Sequence, residues 1–321
     1  MSEKSLNVLV FGATGVIGRF IIAQLVANKA DFNRIAIFTS LSTISSKSPE
    51  IQRLRNDGVE IIVGDVNLDS DVLKAYQGID TVICAFGRNV IGKQIDLIRI
   101  AEESKYVKWF FPSEFGTDIE YEPGSRDEIP HQEKLRVRTY IREHVKELGH
   151  TYIVTGPYPE LFVASSPDTK MGTFDVRNRT ATIVGTGDER IGFTTMHDVG
   201  RFVVAALKRP TEARNQTLKV QSFVATQNQI ISEFEKQTAT KWGVEYVPFS
   251  ELTAKEKLQW AEENPIAPIY TLRRIWIGGG TLYDHLDNES LGVLETDNLE
   301  KVIAHKIRTG GGSAIQSGKL Q

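Results

Sequence analysis

The chain has 321 residues, 40% of them apolar and 25% charged, with 38 basic side chains against 41 acidic ones. That balance excludes a disordered chain and a general polyanion binder, so nucleic acid is not an expected partner. The single cysteine, Cys84, excludes an internal disulfide and a cysteine-rich zinc site and fits a reducing compartment, with the cytoplasm as the expected location.

The opening MSEKSLNVLVFGATG passes from a short charged lead directly into a strand pattern, and no apolar run approaches the ~20 residues of a membrane span. Neither an export signal nor a membrane contact is expected. Five short apolar blocks then alternate with helix-length segments: Asn7 to Phe11, Arg34 to Phe38, Glu60 to Val63, Thr81 to Ala85 and Lys108 to Phe111. Continuous apolar strands separated by helices are the pattern of a parallel sheet covered on both faces. A helix is predicted from Pro130 to Leu148, stopped at Gly149, and a sixth strand from Tyr152 to Thr155. The fold class is therefore α/β, a Rossmann-type doubly wound parallel sheet over residues 1–155.

After Pro157 the alternation loosens, and residues 156–308 are expected to form a smaller substrate-binding α/β part, some of it rejoining the first sheet. Its predicted elements are strands near Thr182 to Val184 and Leu218 to Val220, and helices near Asp198 to Lys208 and Thr226 to Gln237. Two glycine-rich stretches follow, WIGGGT at Trp276 to Thr281 and the polar tail 309–321, which is expected to be mobile.

Between the first strand and its helix lies GATGVIGRF. Gly12 suits the tight turn, Gly15 leaves room for a pyrophosphate and Gly18 lets helix pack on strand, with the backbone of Thr14, Val16 and Ile17 at the helix N-terminus. A strand before and a helix after make this a dinucleotide-binding turn. Arg19 either reaches a phosphate or is a solvated helix residue. The second strand ends without the Asp or Glu that holds an NAD ribose; Thr39, Ser40 and Lys47 suit a ribose phosphate instead, and the cofactor is expected to be NADP(H). Asp65 either accepts from the adenine or caps the next helix.

GATGVIGRF, VGD, TVICAFG and above all KWFFPSEFGTD followed by HQEKLRVRTYIREH resemble the isoflavone reductase-like group of NmrA-like, atypical short-chain dehydrogenases. The likeness covers residues 5–220 and thins beyond, and the divergent carboxy-terminal stretch, WIGGGT included, points to a fungal or bacterial member. The resemblance implies a Rossmann domain with a smaller substrate domain, NADPH as cofactor and Lys134 as the catalytic lysine, in Lys134-Leu135-Arg136-Val137-Arg138. Where that group often carries an arginine after the second strand this chain has Thr39, leaving Lys47 as the basic residue.

Ligands of doubly wound sheets sit at the carboxyl ends of the strands. Ala85, Phe86 and Gly87 would wall the ribose there and Ser113 and Phe115 the nicotinamide, although both phenylalanines equally suit core packing. No Tyr-x-x-x-Lys pair occurs, and the resemblance implies that Lys134, with Arg138 on its helix face, carries the proton chemistry and also touches the cofactor. His131 is a solvated helix-start residue or a substrate contact. Tyr158, Glu160 and Phe162 are candidate substrate-binding residues, with Met171, Phe174 and Phe193 as weaker ones. No metal is expected.

The function expected is NADPH-dependent reduction of a small aromatic, phenylpropanoid-like or other secondary metabolite, by a monomer or homodimer. The alternatives are a non-catalytic NmrA-like dinucleotide sensor with a protein partner, and a cofactor-assisted isomerase or dehydratase.

Overall fold

The computed structural model describes residues 6–166 and 168–310; the expected mobile tail lies outside them apart from Thr309 and Gly310. The strands of the first half are β1 Leu6–Phe11, β2 Phe32–Thr39, β3 Glu60–Val63, β4 Thr81–Cys84, β5 Trp109–Phe111 and β6 Gly149–Val154. Three more, β7 Thr173–Asp175, β8 Thr180–Val184 and β9 Arg190–Phe193, precede β10 Gln216–Lys219, β11 Phe223–Thr226 and β12 Gly243–Val247. The helices are α1 Gly18–Ala27, α2 Leu41–Ser46, α3 Ser48–Asn56, α4 Asp69–Ala75, α5 Gln94–Ser104, α6 Gln132–His144 and α7 Pro159–Phe162, then α8 Met196–Lys208, α9 Pro210–Ala213, α10 Gln227–Thr238, α11 Phe249–Ala261, α12 Ala267–Ile277 and α13 Leu299–Arg308.

A seven-stranded, wholly parallel sheet runs β10-β6-β5-β4-β1-β2-β3. Side chains alternate across it with period two. Val8 and Val10 of β1, Ile37 of β2 and Ile83 of β4 enter one core with α1, α3 and α8. Leu9 and Phe11, Phe38, and Val82 and Cys84 from the same strands enter the opposite core with α4, α5 and α6. That double burial explains the near-continuous apolar strands in the sequence. The order reverses between β1 and β4, and the crevice at their carboxyl ends is where such sheets take ligands.

β10 adds to the sheet edge beside β6, Gln216 against Thr151, and α8 packs across α1. Gly200 permits that crossing, because a β-carbon there would lie 2.5 Å from the Phe20 carbonyl oxygen. The second core gathers around Phe162, Phe174, Phe193, Phe234 and Tyr270, between the β12-β8-β7 sheet, the β11-β9 pair and helices α10 to α13.

Two sequence expectations need correction. The helix predicted to run to Leu148 stops at His144, because the Glu102 carboxylate accepts the backbone N–H groups of Lys146, Glu147 and Leu148 at 2.8, 3.0 and 2.8 Å and draws the chain out of helical conformation. Gly149 is not its stop: it starts β6, and the stem of Arg214 occupies the space its β-carbon would need. The glycine-rich WIGGGT stretch is tied down at both ends. Trp276 and Ile277 complete α12, and buried Thr281 accepts from Gly192 N–H at 3.1 Å, while Trp276 donates to the Thr117 hydroxyl at 2.8 Å. The joint therefore lies against the loop after β5.

Candidate active site

The first glycine turn is shaped by close backbone approaches. Gly12 has φ +74°, and a β-carbon on it would lie 2.4 Å from the carbonyl oxygen of Ala85 at the end of β4. Gly18 is tighter, with only 2.1 Å to the Gly12 oxygen. Gly15 donates to that oxygen at 2.9 Å and leaves 3.0 Å for a β-carbon, so one carbonyl disciplines the whole turn. Ile17 is buried beneath it, Thr14 is half-buried and Val16 is exposed. Lys47, at the end of α2, donates its ammonium to the Thr14 carbonyl, which brings the predicted basic residue onto the turn. Arg19 lies 5.2 Å over the Phe20 ring, and its Nε is buried without a partner.

Beside the turn opens a cleft of about 300 Å³, lined among others by Gly12, Thr14, Thr39, Ser40, Asp65 and Phe86. The Ser40 hydroxyl is engaged, capping α2 through Thr43 N–H at 3.2 Å and meeting the Ser42 hydroxyl at 2.8 Å. Asp65 does not cap α4; it accepts from the N–H and side-chain amide of Asn67 at 2.9 and 2.8 Å, which hold it below the usual carboxylate range. Thr43, Val66 and Asn67 also line the cleft and went unread in the sequence, where they look like ordinary loop residues.

At the end of β4, Phe86 lines the cleft and meets Phe11 edge-on at 6.2 Å between centroids. Gly87 is exposed and Ala85 buried. Ser113 joins the next strand end to this one: its hydroxyl donates to the Phe86 carbonyl at 2.9 Å and its N–H to Gln94 Oε1 at 2.6 Å. Phe115 is 8% exposed, and its carbonyl accepts from the Tyr158 hydroxyl at 2.6 Å.

Lys134 completes the line of groups. Its ammonium donates to the Glu114 carbonyl at 2.7 Å and stands 3.4 Å from where a Gly116 β-carbon would be. Burial of that end, against a partial offset from Glu114, draws its pKa down to about 8, with Arg88 and Arg138 adding like-charge repulsion. Arg138, one turn on, is 1% exposed; its Nη2 and Nε reach the two Glu114 oxygens at 2.9 and 3.2 Å, and its Nη1 reaches Asp118 and Glu120 at 3.4 and 2.9 Å. Glu114 and Asp118 thus anchor the FPSEFGTD loop to α6. Neither was singled out from the sequence, although an acid in that loop opposite an arginine on the next helix was the available signal.

His131 is not solvated. It closes a 3-10 turn, is 3% exposed, and hydrogen-bonds the Ser125 carbonyl through Nδ1 at 2.7 Å. The substrate candidates separate in space. Tyr158 belongs to the Ser113–Gly116 loop, whereas Glu160 turns to the start of α8, accepting Met196 N–H at 3.0 Å. Burial there pushes Glu160 up to about 7, helped by Asp297 and Asp198. Phe162 is a core residue, 1% exposed, under the Arg273 guanidinium at 4.1 Å, and Met171, Phe174 and Phe193 share its core.

Among the described residues His197, Asp198 and Asp297 bring ligand atoms within 4.8 Å of one another. Their carboxylates already hold Arg201, Ser222 and Lys301.

Residues 4–274 match the model of the NmrA-like family. The chain belongs to the NmrA-like family. Among curated proteins this NmrA-like chain is 30% identical over 308 residues to the oxidoreductase aprR of Aspergillus flavus, covering 94% of the chain and 98% of that protein. It is 29% identical over 283 residues to isoflavone reductase of Glycine max, covering 84% and 87%. Its fold is that of the leucoanthocyanidin reductase–NADPH complex from Vitis vinifera, with TM-score 0.77 over 94% of this chain and 99% of that one at 23% identity. The chain is an oxidoreductase of the isoflavone reductase-like type. No helix among the described residues is long and apolar enough to cross a membrane.

Proposed function

We propose that this oxidoreductase uses NADPH to reduce a small aromatic, phenylpropanoid-type molecule at a conjugated or benzylic carbon, with Lys134 as general acid and base. The observation that carries the reading is the unbroken line from Gly12 through Ala85, Phe86 and Ser113 to the Lys134 ammonium, all at the carboxyl edge of the sheet. The glycine turn fits a dinucleotide: β-carbons would close it, Arg19 leaves a buried nitrogen without a partner, and a cleft lies beside it. No carboxylate ends β2, and Thr39, Ser40 and Lys47 are there for a ribose phosphate, which supports NADP(H). Asp65 lines the cleft, where it would accept from the adenine, and Tyr158 holds Phe115, the residue after the Glu114 carbonyl that takes the lysine.

A bound nicotinamide supplies the hydride. Lys134 supplies the accompanying proton to the substrate's enolic or phenolic oxygen and regains it from solvent. A group with a pKa of about 8 is mainly ammonium at pH 7 yet gives up its proton far more readily than an ordinary lysine. Its retention favours the enzyme over a sensor.

The test has two parts. NADPH should bind more tightly than NADH. In single-turnover NADPH oxidation with an accepted substrate, Lys134→Ala should lose at least ~10²-fold in rate with near-normal NADPH affinity. The wild-type rate should fall as pH rises through about 8, where the ammonium is lost, and the mutant should lack that limb. A near-full mutant rate with the same pH profile removes Lys134 as catalyst. Tight NADPH binding with no aromatic turnover returns the sensor reading, and product without net NADPH oxidation the isomerase.

A further inference from the structure

Two cations stand together at Lys134 without a salt-bridge partner of their own among the described residues. Arg88 opens the 3-10 segment Arg88–Lys93 after β4, and its Nη1 points to the Pro130 carbonyl at 3.4 Å. That places a guanidinium next to His131 and within electrostatic reach of Lys134, one helical turn further on. The acids around them are engaged elsewhere: Glu114 with Arg138 at 2.9 Å, Glu128 with Arg274 at 2.7 Å and Glu133 with Arg136 at 2.7 Å. Asp118 is shared between Arg138 and Lys219. Neither Arg88 nor Lys134 has a carboxylate within salt-bridge distance among the described residues.

His131 does not supply the missing acceptor charge. The Ser125 carbonyl only accepts, so Nδ1 carries the proton, and burial keeps the ring below its usual pKa. Its Nε2 is left as a buried lone pair with no partner. Two cations and one unfilled acceptor therefore line the same place. Arg88 is exposed and Lys134 half-buried, so both are open to an incoming ligand, and an anion joining them relieves their mutual repulsion.

We propose that Arg88, together with Lys134, binds an ionised oxygen of the substrate, so that the substrate class is an aromatic anion: a carboxylate, or a phenol or enol acidic enough to ionise. This rests on the reductase reading above. Arg88 is a specificity residue in this scheme. Its guanidinium is charged at every working pH and forms charge-assisted hydrogen bonds to oxyanions, whereas Lys134 both attracts the anion and manages the proton. A dinucleotide phosphate is the other source of anionic oxygen near this loop, and the experiment separates the two.

Isothermal titration of the NADP+-saturated protein with 4-hydroxycinnamate against its methyl ester, and 7-hydroxycoumarin against 7-methoxycoumarin, reads the preference directly. At least one ionised probe should bind about tenfold or more tightly than its methylated partner. Arg88→Gln should remove most of that difference, Arg88→Lys should keep part of it, and NADPH affinity should stay within about twofold in both. Equal binding of ionised and methylated probes, a preference that survives Arg88→Gln, or no probe binding to a protein that does bind NADPH overturns the proposal. So does a loss of NADPH affinity in Arg88→Gln, which assigns Arg88 to the dinucleotide. Failure of the wild type to bind NADPH removes the reductase reading itself.

Discussion

Where β1 ends, the surface offered to a ligand is backbone: three glycines, one carbonyl shared between two of them, and the start of a helix. Where β5 ends, the surface is side chain: a lysine held by a loop that is itself held by a buried arginine and its carboxylates. Both regions lie on the same edge of the same sheet, yet they fail for different reasons. The first has no slack for added atoms. The second has no slack for lost charge, because Arg138 and Glu114 are each 1% exposed and neither has water to fall back on.

The largest effect is expected from that second region. Arg138→Met strands Glu114 and Asp118 without their common partner and should cost ~3–5 kcal/mol of folding stability in denaturant titration. The double change with Glu114→Gln should recover part of it; no recovery would mean that the arginine acts through its packing on the Tyr152 ring at 4.5 Å rather than through charge.

Gly18→Ala tests the backbone region. A β-carbon 2.1 Å from the Gly12 oxygen must displace main chain, so ~1–3 kcal/mol of stability and measurable NADPH binding should be lost together. Normal NADPH titration in a folded Gly18→Ala protein would show that the turn tolerates added atoms and erase the contrast.

Lys47→Ala has the smallest expected effect, at most about tenfold in the NADPH-over-NADH affinity ratio, since the ammonium is already shared with the Thr14 carbonyl. An unchanged ratio with weaker binding of both cofactors would make Lys47 a brace for the turn and not a phosphate ligand.

The same division governs what was legible beforehand. Four of the five early strands and the GATGVIGRF turn were readable because parallel strands buried on both faces are written as continuous apolar runs, and glycine spacing is a local code; β3, at the sheet edge with no buried residue, was readable from its Ile61-Ile62-Val63 run. Helix ends were misjudged where a distant group intervened. Glu102 ends α6 from 44 to 46 residues upstream, and nothing near His144 announces it. Phe162 and Glu160 follow the sixth strand as Tyr158 does, but one turns into the second core and the other to the start of α8.

By itself the sequence determined the α/β class, the glycine turn after β1, the lack of an acidic residue after β2 and, through likeness to a family, the lysine to watch. Those properties are carried by residues close together in the chain. Only the tertiary structure decided that His131 is buried with a vacant acceptor, that Arg88 stands beside Lys134, and that Glu114, Glu128 and Glu133 already have other partners. Charge balance at a site is a sum over groups brought together from distant parts of the chain, and their separations are set by packing rather than by order in the sequence.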